Sequence, residues 1–272
     1  MFPAAQGYDR AITMFSPDGR LYQVEYALET IRRGTVVIGL GVSEGVVLAG
    51  EEKTRKLQKA GSSQKIFQID DHLGLAASGY IPDARVQVDQ ARILAQSNRL
   101  IYDEPSNAET VAKKLADMAQ QFTQYAGVRP FGVSTIIAGY DDEPSIYVVD
   151  PSGTYVSYKA TAIGSGGDQA TEYLEDNYSY DMSLKEACIL AIECIYLVSE
   201  DKFSTNHLNV STIDEDKKMR KLSSSEIEDF ASNAKTRSTS SESSESSESS
   251  ESSESSESSE SESSESESES ES

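Results

Sequence analysis

Ser16-Pro17-Asp18-Gly19-Arg20-Leu21-Tyr22-Gln23-Val24-Glu25-Tyr26-Ala27-Leu28-Glu29-Thr30-Ile31-Arg32-Arg33-Gly34-Thr35 holds a turn, a helix and the start of a strand. Ser-Pro-Asp-Gly is a turn cluster, since proline presets φ and glycine accepts the left-handed region. Leu21, Val24, Leu28 and Ile31 follow at i, i+3, i+7 and i+10, which places one apolar stripe on a helix over residues 20–33. Its polar face carries Gln23, Glu25 and Glu29. Arg32 and Arg33 suit the negative end of the helix dipole, and Gly34 is the stop signal. A β-branched run begins at Thr35, so an amphipathic helix feeds a strand through one glycine.

Working outward, short apolar runs bounded by Gly, Ser and Asp predict strands at 35–40, 45–49, 65–69 and 73–77, in a largely antiparallel sheet. Helical patterns follow at 83–98 and 107–125, with Pro82 and Pro105 near their starts. A second strand group covers 133–138, 145–149, 154–159 and 160–163. Helices at 167–177 and 183–198, a strand at 208–213 and a short helix at 225–234 complete the body. Strands, two helices, strands and two helices in that order predict an α+β fold, two sheets face to face with helices outside in an αββα sandwich of four layers. No βαβ alternation is present, which disfavours a doubly wound parallel sheet.

The 272 residues carry 46 acidic and 24 basic side chains, a net charge of −22. Residues 238–272 consist of 22 Ser, 12 Glu and Thr239. Removing those 12 Glu leaves 34 acidic against 24 basic groups in the body, a net charge of −10. The division expected is a flexible segment at 1–15, a folded domain at 16–235 and a disordered Ser/Glu-rich tail at 236–272, because such a tail buries too little apolar area to offset chain entropy. The tail's repeats resemble acidic-directed kinase sites and also suit a solubilising or low-affinity docking role. Basic residues do not cluster, so no nucleic acid is expected as partner. No apolar run reaches the roughly 18–20 residues of a membrane span, and no basic region precedes an apolar run at the start, so no membrane is expected and a cytoplasmic location is. Cys188 and Cys194 lie six apart in a helical stretch and read as buried, reduced thiols. With His72 and His207 they supply no metal constellation, and neither metal nor cofactor is expected.

The run Tyr8-Asp9-Arg10-Ala11-Ile12-Thr13-Met14-Phe15-Ser16-Pro17-Asp18-Gly19-Arg20-Leu21-Tyr22-Gln23-Val24-Glu25-Tyr26-Ala27 resembles the signature of proteasome α-type subunits. Ser78-Gly79 with Asp83-Ala84-Arg85, Gly127-Val128-Arg129-Pro130-Phe131-Gly132-Val133-Ser134, and Lys159-Ala160-Thr161-Ala162-Ile163-Gly164-Ser165-Gly166 are similar to the same family. The resemblance spans residues 7–230 and is closest to archaeal α subunits. It implies the αββα fold of N-terminal nucleophile hydrolases, in agreement with the element order.

The resemblance further implies a non-catalytic subunit. Seven α subunits would form a ring capping a β ring, with residues 1–15 gating the channel for unfolded protein substrates. Tyr8, Asp9, Pro17 and Tyr26 match the cluster that holds the open gate. Glu25, Lys65 and Gly79 match a pocket that receives the C-terminus of an activating AAA ATPase, with Lys65 pairing the terminal carboxylate. Leu28 departs from relatives with a basic residue there.

An autonomous threonine peptidase is the competing reading, since β-type subunits attack with a processed N-terminal Thr whose own amine moves the proton. Gly34-Thr35 has the form of a processing site, Glu51 lies 16 residues on, and Lys65 heads a segment resembling the strand that carries the catalytic Lys, although two residues too close. The signature helix upstream opposes processing, and Thr35 is read as an ordinary strand residue. An acidic scaffold or chaperone would account for the tail but for none of the body's motifs.

Overall fold

The first turn and helix form as their residues dictate. In the computed structural model, which describes residues 13–53, 57–59, 64–199 and 205–234, the Ser16 and Gly19 amides donate to Arg20 O and Ser16 O, both at 2.9 Å, and Ser16 Oγ accepts from Arg20 N at 3.1 Å. The tail at 236–272 and most of the segment at 1–15 lie outside the described residues. Helix α1 (Tyr22–Arg32) follows the turn, with Val24, Ala27 and Ile31 buried and Leu28 half-buried. The buried stripe therefore centres on Ala27 rather than Leu28.

Ten strands follow: β1 (Val37–Val42), β2 (Gly45–Glu51), β3 (Ile66–Asp70), β4 (Leu73–Gly79), β5 (Val133–Tyr140), β6 (Pro144–Val149), β7 (Tyr155–Ser157), β8 (Ala160–Ile163), β9 (Leu208–Asp214) and β10 (Met219–Lys221). Helices α2 (Ile81–Tyr102) and α3 (Ala108–Gln124) lie between β4 and β5, α4 (Gly167–Asn177) and α5 (Leu184–Val198) between β8 and β9, and residues 224–234 are helical. Asn107 caps α3 by accepting from Thr110 N at 2.8 Å, and Ser183 with Glu186 makes a capping box on α5.

Two five-stranded antiparallel sheets result, ordered β10-β9-β2-β1-β8 and β3-β4-β5-β6-β7. Helices α4 and α5 cover the first, and α2 and α3 cover the second, so the four-layer expectation holds. The grouping of strands needs correction. The first four strands do not share a sheet, because β1 and β2 pair with β8 and β9 while β3 and β4 join β5. Strand β8 leaves its neighbours in sequence and pairs with β1, Val37 opposite Ile163 and Leu40 opposite Ala160. Strand β10 was not anticipated; its three residues pair with Ile213, Thr212 and Ser211 of β9.

Strand β1 shows how the layers close. Val36, Ile38, Leu40 and Val42 belong to the core under α5, while Val37 joins the core between the sheets. Gly39 faces that inter-sheet core, where a β-carbon would lie 2.8 Å from Ile136 Cγ2. Ile38 and Leu40 thus face the helices while Val37 and Gly39 face the opposite sheet, with the period of two that a pleated strand imposes. Cys188 and Cys194 are free and buried in the apolar cluster under α5, and burial pushes both thiols up to about 12. Opposite sides of α5 share one cluster because the helix is covered nearly all round.

Gly34 does not take the left-handed conformation of a helix-ending glycine. It is required instead by close approach: a β-carbon there would lie 2.5 Å from Gly79 N and 2.7 Å from Ser78 Oγ. Gly34→Ala should lower stability by about 1–3 kcal/mol through this overlap, measured as the urea midpoint of the full chain. An unchanged midpoint would contradict so tight a junction.

Candidate functional site at the start of the first strand

Residues 34 and 35 lie between α1 and β1, where four other segments converge on them. The Gly34 carbonyl accepts from Ser165 N at 2.7 Å. The Thr35 carbonyl accepts from Ser78 Oγ and from Lys65 Nζ, each at 2.9 Å. The Thr35 hydroxyl donates to Glu51 O at 2.6 Å and receives a second contact from Lys65 Nζ. Thr35 is therefore not an ordinary strand residue: it precedes β1 and joins the segments carrying Glu51, Lys65 and Ser78.

Lys65 is only 7 % exposed. Burial removes water from its ammonium and depresses its pKa to about 8, although Glu51 and Glu52 oppose the shift. Those two carboxylates, themselves buried, are held by other groups. Glu51 Oε1 accepts from Ser199 Oγ at 2.6 Å, and Glu52 Oε1 accepts from Lys65 N at 2.8 Å and Asn209 Nδ2 at 3.1 Å. The signals of this cluster in the sequence were the Gly34-Thr35 pair, the spacing of Glu51 and Lys65 from it, and the resemblance of the segment that Lys65 heads. Ser199 and Asn209, 148 and 157 residues from their partners, had none.

Gly79 meets the same junction through its contact with Gly34. Glu25, by contrast, lies in the first turn of α1, where Arg20 grips it through Nε at 2.7 Å and through Nη2. This pairing lowers the Glu25 pKa and raises that of Arg20. Lys65 and Gly79 thus converge at the C-terminal end of α1, and Glu25 sits toward the opposite end of a helix about 16 Å long. Tyr26 is 51 % exposed and, with Gln23 and Thr30, walls a groove of about 340 Å³ whose other side is Tyr80, Arg129 and Pro130. Arg129 makes a bidentate pair with Asp83, 2.6 and 2.7 Å long, and Asp83 also accepts from Gly132 N at 2.9 Å. Two stretches noted separately in the sequence, around Asp83 and around Arg129, are thereby one unit. Pro17 is exposed in the turn before α1, while Tyr8 and Asp9 lie outside the described residues.

Residues 31–213 match the family described as proteasome subunit, and residues 8–29 match the N-terminal signature of the A-type proteasome subunits. The chain belongs to the proteasome α-subunit family. It is 49 % identical to the proteasome α subunit of Methanosarcina acetivorans over 227 residues, 82 % of this chain and 92 % of that one. It is 50 % identical to the Pyrococcus abyssi protein of that name over 230 residues (84 % and 88 %), and 46 % identical to that of Archaeoglobus fulgidus over 233 (85 % and 95 %).

An α-type subunit is non-catalytic and assembles with other proteasome subunits, the peptidase activity lying on β subunits. The geometry around Thr35 accords with this. A threonine nucleophile of the N-terminal type needs its own α-amine as base, and the Thr35 nitrogen is an amide continuous with α1. A hydroxyl beside a lysine is present without that base. His72, one of the two histidines, has a structural place: buried, with Nε2 bonded to Ser106 O at 2.7 Å. No group of His, Cys, Asp and Glu able to hold a metal occurs among the described residues, and no helix there is long and apolar enough to cross a membrane.

Lys65 gives a pH prediction. Folded, it titrates at about 8 against an ordinary 10.5, so between these values the unfolded chain binds more protons and stability rises with pH. The melting temperature of the isolated full chain, relative to Lys65→Met, should therefore increase from pH 8 to pH 10. A flat or falling difference contradicts the assignment.

Proposed function

We propose that this α-type subunit forms, with six others, the ring that caps the proteasome β ring, and that its N-terminal residues gate the channel by which unfolded proteins enter. The observation carrying this reading is that α1, which bears the described later part of the signature, runs on through Gly34, packed against the Gly79 backbone, into β1. Residues 1–15 are the gating segment. Tyr8, Asp9, Pro17 and Tyr26 hold it open, a tyrosine hydroxyl and a carboxylate forming a charge-assisted bond across a subunit boundary while proline directs the turn. The exposure of Pro17 and Tyr26 leaves both able to meet a neighbour.

Docking of an activating ATPase engages Lys65 and Gly79, with Glu25 on the rim. A terminal carboxylate arriving at Lys65 meets an ammonium shielded from water, where its attraction is stronger than at an exposed surface. The complex works in the cytoplasm.

Two measurements test the reading on particles assembled with a β-type subunit. Deleting residues 2–12 should raise hydrolysis of a short unstructured peptide severalfold, by removing the gate. Lys65→Ala should assemble into rings but lose ATPase stimulation of protein degradation. Unchanged peptide hydrolysis in the deletion removes the gating role, and undiminished stimulation in Lys65→Ala removes the docking role. The mass of the expressed chain should also remain that of the unprocessed protein. A product beginning at Thr35 would restore the peptidase reading.

A further inference from the structure

Lys65 is a buried cation whose ammonium is bonded to neutral oxygens. Both hydrogen bonds of Nζ go to Thr35, to its carbonyl at 2.9 Å and to its hydroxyl, and among the described residues Lys65 forms no ion pair. This is unexpected, because two carboxylates on adjacent residues, Glu51 and Glu52, are buried close enough to act on its titration. An ammonium in a poorly hydrated site would gain most by contacting one of them. Thr35 takes the ammonium instead. Its hydroxyl is oriented by donation to Glu51 O at 2.6 Å, which turns the oxygen lone pairs toward Nζ. The carboxylates are turned elsewhere, Glu51 to Ser199, and Glu52 to Asn209 and the Lys65 amide.

We propose that Thr35 is a positioning residue: it holds the Lys65 ammonium off Glu51 and Glu52, so that the cation stays uncommitted and able to accept a partner's carboxylate. This rests on the docking role assigned above to Lys65. An ammonium has three protons, and Thr35 accepts two while contributing no negative charge. The third remains for an incoming anion. A carboxylate of the same chain at contact distance would neutralise the cation and compete with that anion. Glu51 and Glu52, at the end of β2 and the residue after it, are the charged groups that act on Lys65, the residue before β3. The low pKa of Lys65 accords with this, since a contact ion pair would favour its charged form.

The test substitutes Thr35 by Val, which keeps shape and removes the hydroxyl, and by Ser, which restores the hydroxyl without the methyl. Lysine labelled with ¹³C at Cε is followed by NMR in the full chain, with Lys65 assigned by the signal lost in Lys65→Met. In Thr35→Val the ammonium should fall onto Glu51 or Glu52, and its pKa should rise by a unit or more, about tenfold in proton affinity. Thr35→Ser should titrate as the native protein does. A Thr35→Val lysine that titrates where the native one does, or a serine variant that behaves as valine does, overturns the proposal. Thr35→Ala carries the same expectation should valine prevent folding.

A second arm uses assembled particles and a peptide ending in a free carboxylate, against the same peptide amidated. Carboxylate-dependent stimulation should be lost in Thr35→Val, kept in Thr35→Ser, and regained when Glu51→Gln and Glu52→Gln are added to Thr35→Val. If Lys65→Ala itself keeps full stimulation, the docking role fails, and with it the proposed availability to a partner. If Lys65→Ala loses stimulation while Thr35→Val retains it, docking stands and the positioning role of Thr35 is overturned.

Discussion

Where α1 passes the chain to β1, the amide nitrogen of Gly79 stands 2.5 Å from the place a β-carbon of Gly34 would take. This backbone approach sets the exit of α1, because the helix cannot leave the sandwich at another angle without opening the contact. It also sets the depth of Thr35, whose carbonyl is taken up by Ser78 one residue earlier in β4. Since β4 is hydrogen-bonded to both β3 and β5, anything that moves Gly34 is felt across the second sheet. The helix bearing the signature is joined by two residues, Arg33 and Gly34, to the cluster that holds Lys65.

That cluster places charges where water is scarce. Burying an ion is costly unless polar groups replace its hydration. Here Ser199 and Asn209 serve the carboxylates, and Thr35 serves the ammonium. The layout has the parts of a hydrolase that attacks with a threonine, but the threonine is internal to the chain and its nitrogen is an amide. The same framework of sheets therefore supports a protein that assembles rather than cleaves, and the polar groups bond the two residues, Gly34 and Thr35, that lead from its first helix into β1.

Much of this was legible in residue order. Val24 and Ile31 on α1, the span Gly167–Asn177 of α4, and the start of α5 at the Ser183 cap follow from local periodicity and cap chemistry. The layers were legible as well, since runs such as Val36-Val37-Ile38 carry apolar side chains on both faces and need cover on both. Sheet membership was not. Residues 160–163 form a strand as expected, yet they pair with β1 about 120 residues earlier, a choice made by the closing of the sandwich. Met219–Lys221 is too short and polar to announce itself and becomes a strand through pairing with β9.

By itself the sequence determined every element but β10, the four-layer class and the family, because each rests on local patterns: a 3.6-residue stripe, a two-residue alternation, and one continuous signature. Only the tertiary structure decided which groups Thr35, Lys65 and Gly34 meet. Their roles depend on atoms contributed by Ser78, Glu51, Ser165, Ser199 and Asn209, which are brought within hydrogen-bond distance by sheet pairing. A glycine that reads as the end of a helix is needed for a contact with a distant backbone, and a threonine that reads as a strand residue holds a buried cation. Periodicity encodes which face of an element is apolar; it does not encode which distant polar group that face will meet.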